Sequence, residues 1–164
     1  ISRPIKSEES PYGFLFGKNP AVAQTSSYVL MRGVFEGCLW DESLKRNQDY
    51  DFFISVQRVC GWQFKSDITA IVYWQEGSMR TYSFEAFSRF YGKHCALMST
   101  SERGMYIAEV MKGLATYSEA GYAYFRKKVI PYRAELNLYN ALFTYNYTLA
   151  RMLLGLKAIA RRFR

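Results

Sequence analysis

Residues 46–61 read RNQDYDFFISVQRVCG, and this stretch decides the fold of the first half of the chain. Asparagine is favoured at the N-terminal cap of a helix and glycine just beyond its C-terminus. Asn47 and Gly61 occupy those two positions. The stretch therefore predicts a helix that begins at Gln48 and is closed by Gly61.

The two aspartates of this predicted helix, Asp49 and Asp51, are two residues apart, and residues at that spacing do not face each other on a helix. The helical period puts Asp49 on the apolar side, with Phe53 and Val56, and turns Asp51 outward or toward a flanking loop. The spacing thus argues against a shared metal ion. Two interpretations of Asp49 remain: an acid that stabilises the helix dipole by about 0.3–1 kcal/mol, or a general base at the edge of a cleft.

The rest of the chain predicts a few short strands followed by a helical C-terminal half, an α+β fold class or the tail of an α/β domain. Runs of β-branched and aromatic residues predict the strands. After Gly77 the sequence pattern becomes typical of helices. The predicted strands are 25–31, 62–65 and 69–74, and the predicted helices of the second half are 83–98, 102–119, 121–130 and 134–162.

The composition is that of a folded domain, with 164 residues of which 18% are aromatic. The net charge of +8 belongs to one end, because nine basic residues and a single acid follow from Arg126 onward. We see no apolar run long enough to cross a membrane and no signal peptide at Ile1. Three widely spaced cysteines argue against a disulfide framework and favour a reducing compartment.

Four short motifs follow one another between residues 24 and 74. They are a Ser/Thr-containing segment ending in arginine (26–32), the loop WDESL (40–44), the helix start QDYD (48–51) and an apolar stretch from Gly61 to Trp74. This order resembles the second half of the catalytic domain of family 2 glycosyltransferases. These are inverting enzymes of the GT-A type that build bacterial surface polysaccharides, among other products.

The resemblance implies a function for residues in three of the motifs. Asp49 matches the catalytic base, which takes the proton of the acceptor hydroxyl as that oxygen attacks the anomeric carbon. The acceptor side would then include Thr25, Ser26, Ser27, Asp41, Glu42 and Asp51. The polar face of an ordinary strand explains the hydroxyl residues equally well, and a solvated turn explains Asp41 and Glu42.

The resemblance also implies that residues 1–77 are the acceptor-side portion of a catalytic domain and that residues 78–164 are a helical extension. The nucleotide-binding strands of the family, and the D-x-D motif that holds Mn²⁺ or Mg²⁺, precede the matching part. We therefore expect the full-length enzyme to use a divalent metal, a nucleotide-sugar donor and a saccharide or lipid-linked acceptor. We expect residues 1–164 alone to bind no metal and to bind the donor poorly.

The C-terminal helix carries apolar residues on one side and basic residues largely elsewhere. Such a helix suits the anionic surface at the cytoplasmic face of a membrane, or packing against its own domain or a sister chain. The apolar set is Leu142, Leu149, Leu153, Leu156 and Phe163, and the basic set is Arg151, Lys157, Arg161 and Arg162. A non-catalytic helical interaction or oligomerisation module remains the alternative function, and a basic nucleic-acid-binding domain is the less favoured one. We expect no nucleic-acid binding, because the basic excess is confined to one end.

Overall fold

The computed structural model describes residues 2–66 and 84–162, together with their side chains apart from those of Phe35 and residues 157–162. Within these ranges the chain forms α-helices joined by turns and short 3₁₀ segments, without a β-strand. The helices are α1 (Pro11–Phe16), α2 (Arg32–Gly37), α3 (Gln48–Val59), α4 (Phe84–His94), α5 (Thr100–Tyr117), α6 (Glu119–Val129), α7 (Leu138–Phe143) and α8 (Tyr147–Arg162). The 3₁₀ segments are Thr25–Ser27, Cys95–Leu97 and Ile130–Glu135.

The predicted α+β fold class, and with it the GT-A type of domain, is wrong for the described chain, which is all-α. Of the first predicted strand, Thr25–Ser27 is a 3₁₀ turn and residues 28–31 are irregular. Residues 62–65 are irregular too, and the predicted strand 69–74 lies outside the described residues.

Aromatic packing explains why these segments are not paired as strands. Their β-branched and aromatic residues fit any half-buried surface, and a sheet is only one such surface. Tyr28 and Trp62 pack their rings against each other at 4.7 Å between centroids, and Trp62 also stacks on Phe53 of α3 at 5.6 Å. A helix face thus takes the side chains that the sequence pattern assigned to a sheet.

The helix predicted from residues 46–61 is confirmed as α3. Gly61 has φ +75°, a left-handed conformation that glycine adopts without steric cost, and its N–H donates to the carbonyl of Val56 at 3.1 Å. Asn47 is at the N-cap position but not as a side-chain cap. Its backbone is left-handed instead, with φ 59°, and asparagine tolerates that conformation better than most residues.

The predicted helices of the second half are largely confirmed, but the long one is divided. Helix α5 begins at Thr100 because Ser99 and Glu102 form a reciprocal capping box. The predicted helix 134–162 is broken into α7 and α8. Asn137 accepts a hydrogen bond from the Asn140 N–H at 2.9 Å, and Asn146 accepts one from the Leu149 N–H at 2.7 Å, so each asparagine starts a separate helix.

The chain divides into two compact units, residues 1–80 and residues 81–164. In the first unit α3 lies at the centre. Phe14 of α1 stacks on Phe53 at 5.1 Å, and Trp40 stacks on Phe52 at 4.3 Å with the ring planes 7° apart. Because neighbours approach α3 from several directions, four consecutive residues, from Asp51 to Ile54, are buried.

The second unit is a helical assembly around α5. That helix packs against α6, α7, α8 and the 3₁₀ segment Ile130–Glu135. Its buried residues are Gly104, Tyr106, Ile107, Ala108, Val110, Met111, Leu114 and Ala115. The hydroxyl of Tyr106 donates to the carbonyl of Phe87 at 3.1 Å, so this buried phenol is hydrogen-bonded.

Across the described part of the chain, none of the helices combines the length and apolar character needed to span a membrane.

Candidate functional site

Asp49 lies in the first turn of α3 and is half-buried. Burial raises the pKa of the Asp49 carboxyl above its ordinary value. The N–H of Tyr50, which donates to Oδ1 at 3.0 Å, and the charge of Arg46 act in the opposite direction but are outweighed. A carboxylate with a raised pKa is a stronger base than an ordinary one.

Tyr28 contacts the same turn of α3. Its hydroxyl donates to the backbone carbonyl of Asp49 at 3.1 Å. Burial, with the nearby carboxylate of Asp49, raises the pKa of the Tyr28 phenol well above its ordinary value. The phenol therefore stays protonated at neutral pH and serves as a hydrogen-bond donor that holds residue 28 to the helix.

An aromatic cluster surrounds the N-terminal half of α3, and we define it as Tyr28, Trp40, Phe52 and Trp62. Phe52 is fully buried, whereas the other three rings are half-buried. The indole N–H of Trp62 donates to the carbonyl of Phe53 at 2.9 Å, which fixes the orientation of that ring. The cluster thus places three partly exposed aromatic rings on the helix that carries Asp49.

Asp51 is buried, which excludes one of the two orientations predicted for it. The helical period turned it outward or toward a flanking loop, but it is 1% exposed, while Asp49 is the half-buried one. The outward orientation was wrong because it assumed a single buried face. Phe14, Trp40 and Trp62 cover α3 from several sides. The angular position of a residue around this helix therefore does not determine how deeply it is buried. The two aspartates of the D-x-D triplet thus lie in different environments.

The hydroxyl residues predicted for the acceptor side lie in the 3₁₀ turn before Tyr28. Thr25 and Ser26 are exposed, and Ser27 is half-buried, with its Oγ donating to the carbonyl of Gln24 at 2.7 Å. Tyr28 attaches the end of this turn to the first turn of α3. The structure therefore connects the turn to Asp49 through a neighbouring aromatic residue.

Asp41 and Glu42 lie in the loop that follows Trp40. Glu42 is exposed, and Asp41 is half-buried, with its Oδ1 accepting from the Ser43 N–H at 3.0 Å. The stack of Trp40 on Phe52 attaches the start of this loop to α3. The Asp41 carboxylate thus accepts a hydrogen bond within its own turn, while Glu42 is exposed to solvent.

No sequence motif marks Tyr28, Trp40 or Trp62 as functional residues. What the three residues share in the sequence is a position at the border of a motif. Tyr28 follows the hydroxyl residues, Trp40 precedes the acidic residues of its loop, and Trp62 follows Gly61. Their convergence on α3 is a product of tertiary packing.

Within residues 2–66 and 84–162, no three His, Cys, Asp or Glu side chains come together in a group able to hold a metal ion. No protein-family model matches this chain, and no curated protein or solved structure matches it either.

Proposed function

We propose that residues 2–66 contribute the acceptor side of an inverting glycosyl-transfer site, in which Asp49 is the general base. The observation that carries the proposal is the state of Asp49, a half-buried residue beside Tyr28 whose carboxyl has a raised pKa. The order of motifs between residues 24 and 74, which resembles that of family 2 glycosyltransferases, supports the same residue.

In the proposed reaction the acceptor hydroxyl oxygen forms a bond to the anomeric carbon of the donor sugar. The bond from that carbon to the nucleoside diphosphate breaks, and the leaving group departs with the electron pair. The hydroxyl proton passes to the carboxylate of Asp49. Such proton transfer contributes about 10²–10⁴-fold to a rate, and a base whose pKa is raised toward the working pH is more effective.

The aromatic cluster fits the binding part of this function. The faces of a sugar ring are partly apolar, and Tyr28, Trp40 and Trp62 are half-buried rings packed together on α3, the helix that carries Asp49. Exposed Thr25, Ser26 and Glu42 add hydroxyl and carboxylate groups on the two segments that these rings attach to α3. We assign these residues to the acceptor and leave the donor, its Mn²⁺ or Mg²⁺ and the transferred sugar to the full-length enzyme.

The test is the substitution Asp49→Asn in the full-length enzyme, with release of nucleoside diphosphate followed for a panel of nucleotide sugars and saccharide acceptors. Because an amide does not accept the proton, kcat should fall by about 10²–10⁴-fold while the KM for the donor stays nearly unchanged. In the unaltered enzyme kcat/KM should rise with pH as Asp49 ionises.

Glu8→Gln is the matched control, because it removes an exposed acid of the same unit without touching α3. It should leave kcat unchanged. Retention of full turnover by the Asp49→Asn enzyme would remove the proposal.

A further inference from the structure

Helix α8 has one face that packs on the core of the second unit. Ala150 is fully buried, and Tyr147 lies edge-on to Tyr122 of α6 with 5.5 Å between ring centroids. Leu154 follows Ala150 by one turn and is half-buried. This face fixes how the N-terminal half of α8 is rotated in the fold.

The opposite face of α8 is apolar and open to solvent. Met152 and Leu156 are 60% and 62% exposed, and they lie four residues apart, which puts them on the same side of the helix. Met152 is about 200° around the helix from Ala150. Leu149, half-buried, borders the pair. We call Leu149, Met152 and Leu156 the apolar stripe of α8.

The charge of α8 has one sign. Between Tyr147 and Arg162 the helix contains four basic residues and no acid: Arg151, Lys157, Arg161 and Arg162. Arg151 is exposed, with its guanidinium 5.7 Å from the centre of the Tyr147 ring. From Arg126 onward the sequence holds nine basic residues and one acid, so the surroundings of the helix reinforce its charge.

The apolar stripe and the positive charge of α8 together indicate what this helix binds. Two copies of α8 facing each other would bring eight positive charges together, which disfavours pairing with a second chain. A nucleic acid would satisfy the charge but would leave Met152 and Leu156 in water. A bilayer with anionic headgroups satisfies both, since its phosphates attract the basic residues and its acyl boundary takes up the apolar side chains.

We propose that α8 docks in the plane of an anionic lipid membrane, with Met152 and Leu156 entering the acyl boundary and Arg151 among the headgroup phosphates. At 16 residues the helix is about 24 Å long, which suits a helix lying along the interface. This inference is independent of the proposed function. If both hold, the docked helix brings the enzyme to the membrane in which a lipid-linked acceptor resides.

The test is flotation of the whole chain with vesicles of phosphatidylcholine alone and of phosphatidylcholine mixed with phosphatidylglycerol. We expect binding to the mixed vesicles only, and weaker binding as sodium chloride is added. Arg151→Gln should weaken binding about fivefold, the effect of one basic residue at a charged surface. Lys18→Gln, an exposed basic residue of the other unit, should leave it unchanged.

The apolar stripe is tested with Met152→Ser combined with Leu156→Ser, which should weaken binding by about tenfold or more. Both side chains are exposed, so the fold should tolerate the change, and circular dichroism of the variant checks this. Leu97→Ser with Leu138→Ser alters two other exposed leucines of the same unit and should have no effect. Equal binding to both kinds of vesicle, no binding at all, or a dimer in light scattering that the double variant abolishes would each overturn the proposal.

Discussion

Asp49 and Asp51 have the same side chain and lie two residues apart on α3, yet their surroundings differ. Asp51 is 1% exposed in the interior of the first unit, and Asp49 is half-buried at the end of the helix. Burial raises the pKa of the Asp49 carboxyl, so ionisation of this group is less favourable in the folded chain than in the unfolded chain.

The first prediction concerns the stability of Asp49→Asn. Because the pKa of Asp49 is raised on folding, the folded state holds a proton more tightly than the unfolded state, and the carboxylate lowers stability above its folded pKa. Asp49→Asn should therefore raise the free energy of unfolding at neutral pH. The gain should shrink as the pH falls and vanish below the ordinary carboxyl pKa of about 3.9.

Urea unfolding at a series of pH values measures this difference. Glu42→Gln, at an exposed acid of the neighbouring loop, is the control and should give no comparable pH-dependent gain. An Asp49→Asn chain that is less stable than the original at neutral pH would show that the carboxylate stabilises the fold.

At the scale of elements, close approach between helices decides where glycine is required. A Cβ added at Gly121 of α6 would lie 2.6 Å from the Cβ of Phe84 in α4, well inside normal contact. At Gly92 of α4 an added Cβ meets no atom within 4 Å. Both glycines are helical, so they share the same intrinsic penalty against alanine and differ in their neighbours.

The second prediction uses this pair. Gly121→Ala should lower the free energy of unfolding by about 1–3 kcal/mol, because α4 and α6 must shift apart. Gly92→Ala should raise it by about 0.5–1 kcal/mol, since alanine is the better helix former where space is open. Thermal or urea unfolding of both variants measures the two changes. Equal effects in the same direction would mean that the helices do not approach closely at Gly121.

The boundaries of the helices show which features of the fold can be predicted from the local sequence. Gly61 closes α3 as expected, and Ser99 with Glu102 starts α5 through a capping box that the prediction of a start at 102 overlooked. The start of α7 and the break between α7 and α8 were also present in the sequence, as Asn137 and Asn146, both favoured N-cap residues. The prediction of one helix over 134–162 overlooked these caps, although they decide the boundaries.

At the scale of the whole molecule, the second unit has a buried core of its own, made of α5 and the helices packed on it. Tyr122 and Phe143 belong to this core, where the Tyr122 hydroxyl donates to the Phe143 carbonyl at 2.6 Å. A set of helices joined by short connections has mostly local contacts, which favours independent folding.

The third prediction follows from that core. Residues 81–164 expressed alone should give a helical circular-dichroism spectrum and one cooperative urea transition. Gly121→Ala should lower the midpoint of this transition as it does in the whole chain. A spectrum of a disordered chain, or a transition without cooperativity, would show that the second unit depends on residues 1–80.

The sequence by itself determined the features that depend on neighbours along the chain. These are α3 with its closing Gly61, the helical character of the second half and the basic C-terminal end. Helical period, caps and charge are local properties, and they can be recognised from a few consecutive residues.

The tertiary structure alone decided the features that depend on residues distant in sequence. Residues 28–31 and 62–65 matched the pattern of strands, but Tyr28 and Trp62 pack on each other and against α3. Asp51 was expected to face outward or toward a flanking loop, and the several neighbours of α3 leave it 1% exposed, while Asp49 is half-buried. The physical reason is the same in both cases: strand pairing and burial require partners that a short stretch of sequence does not specify.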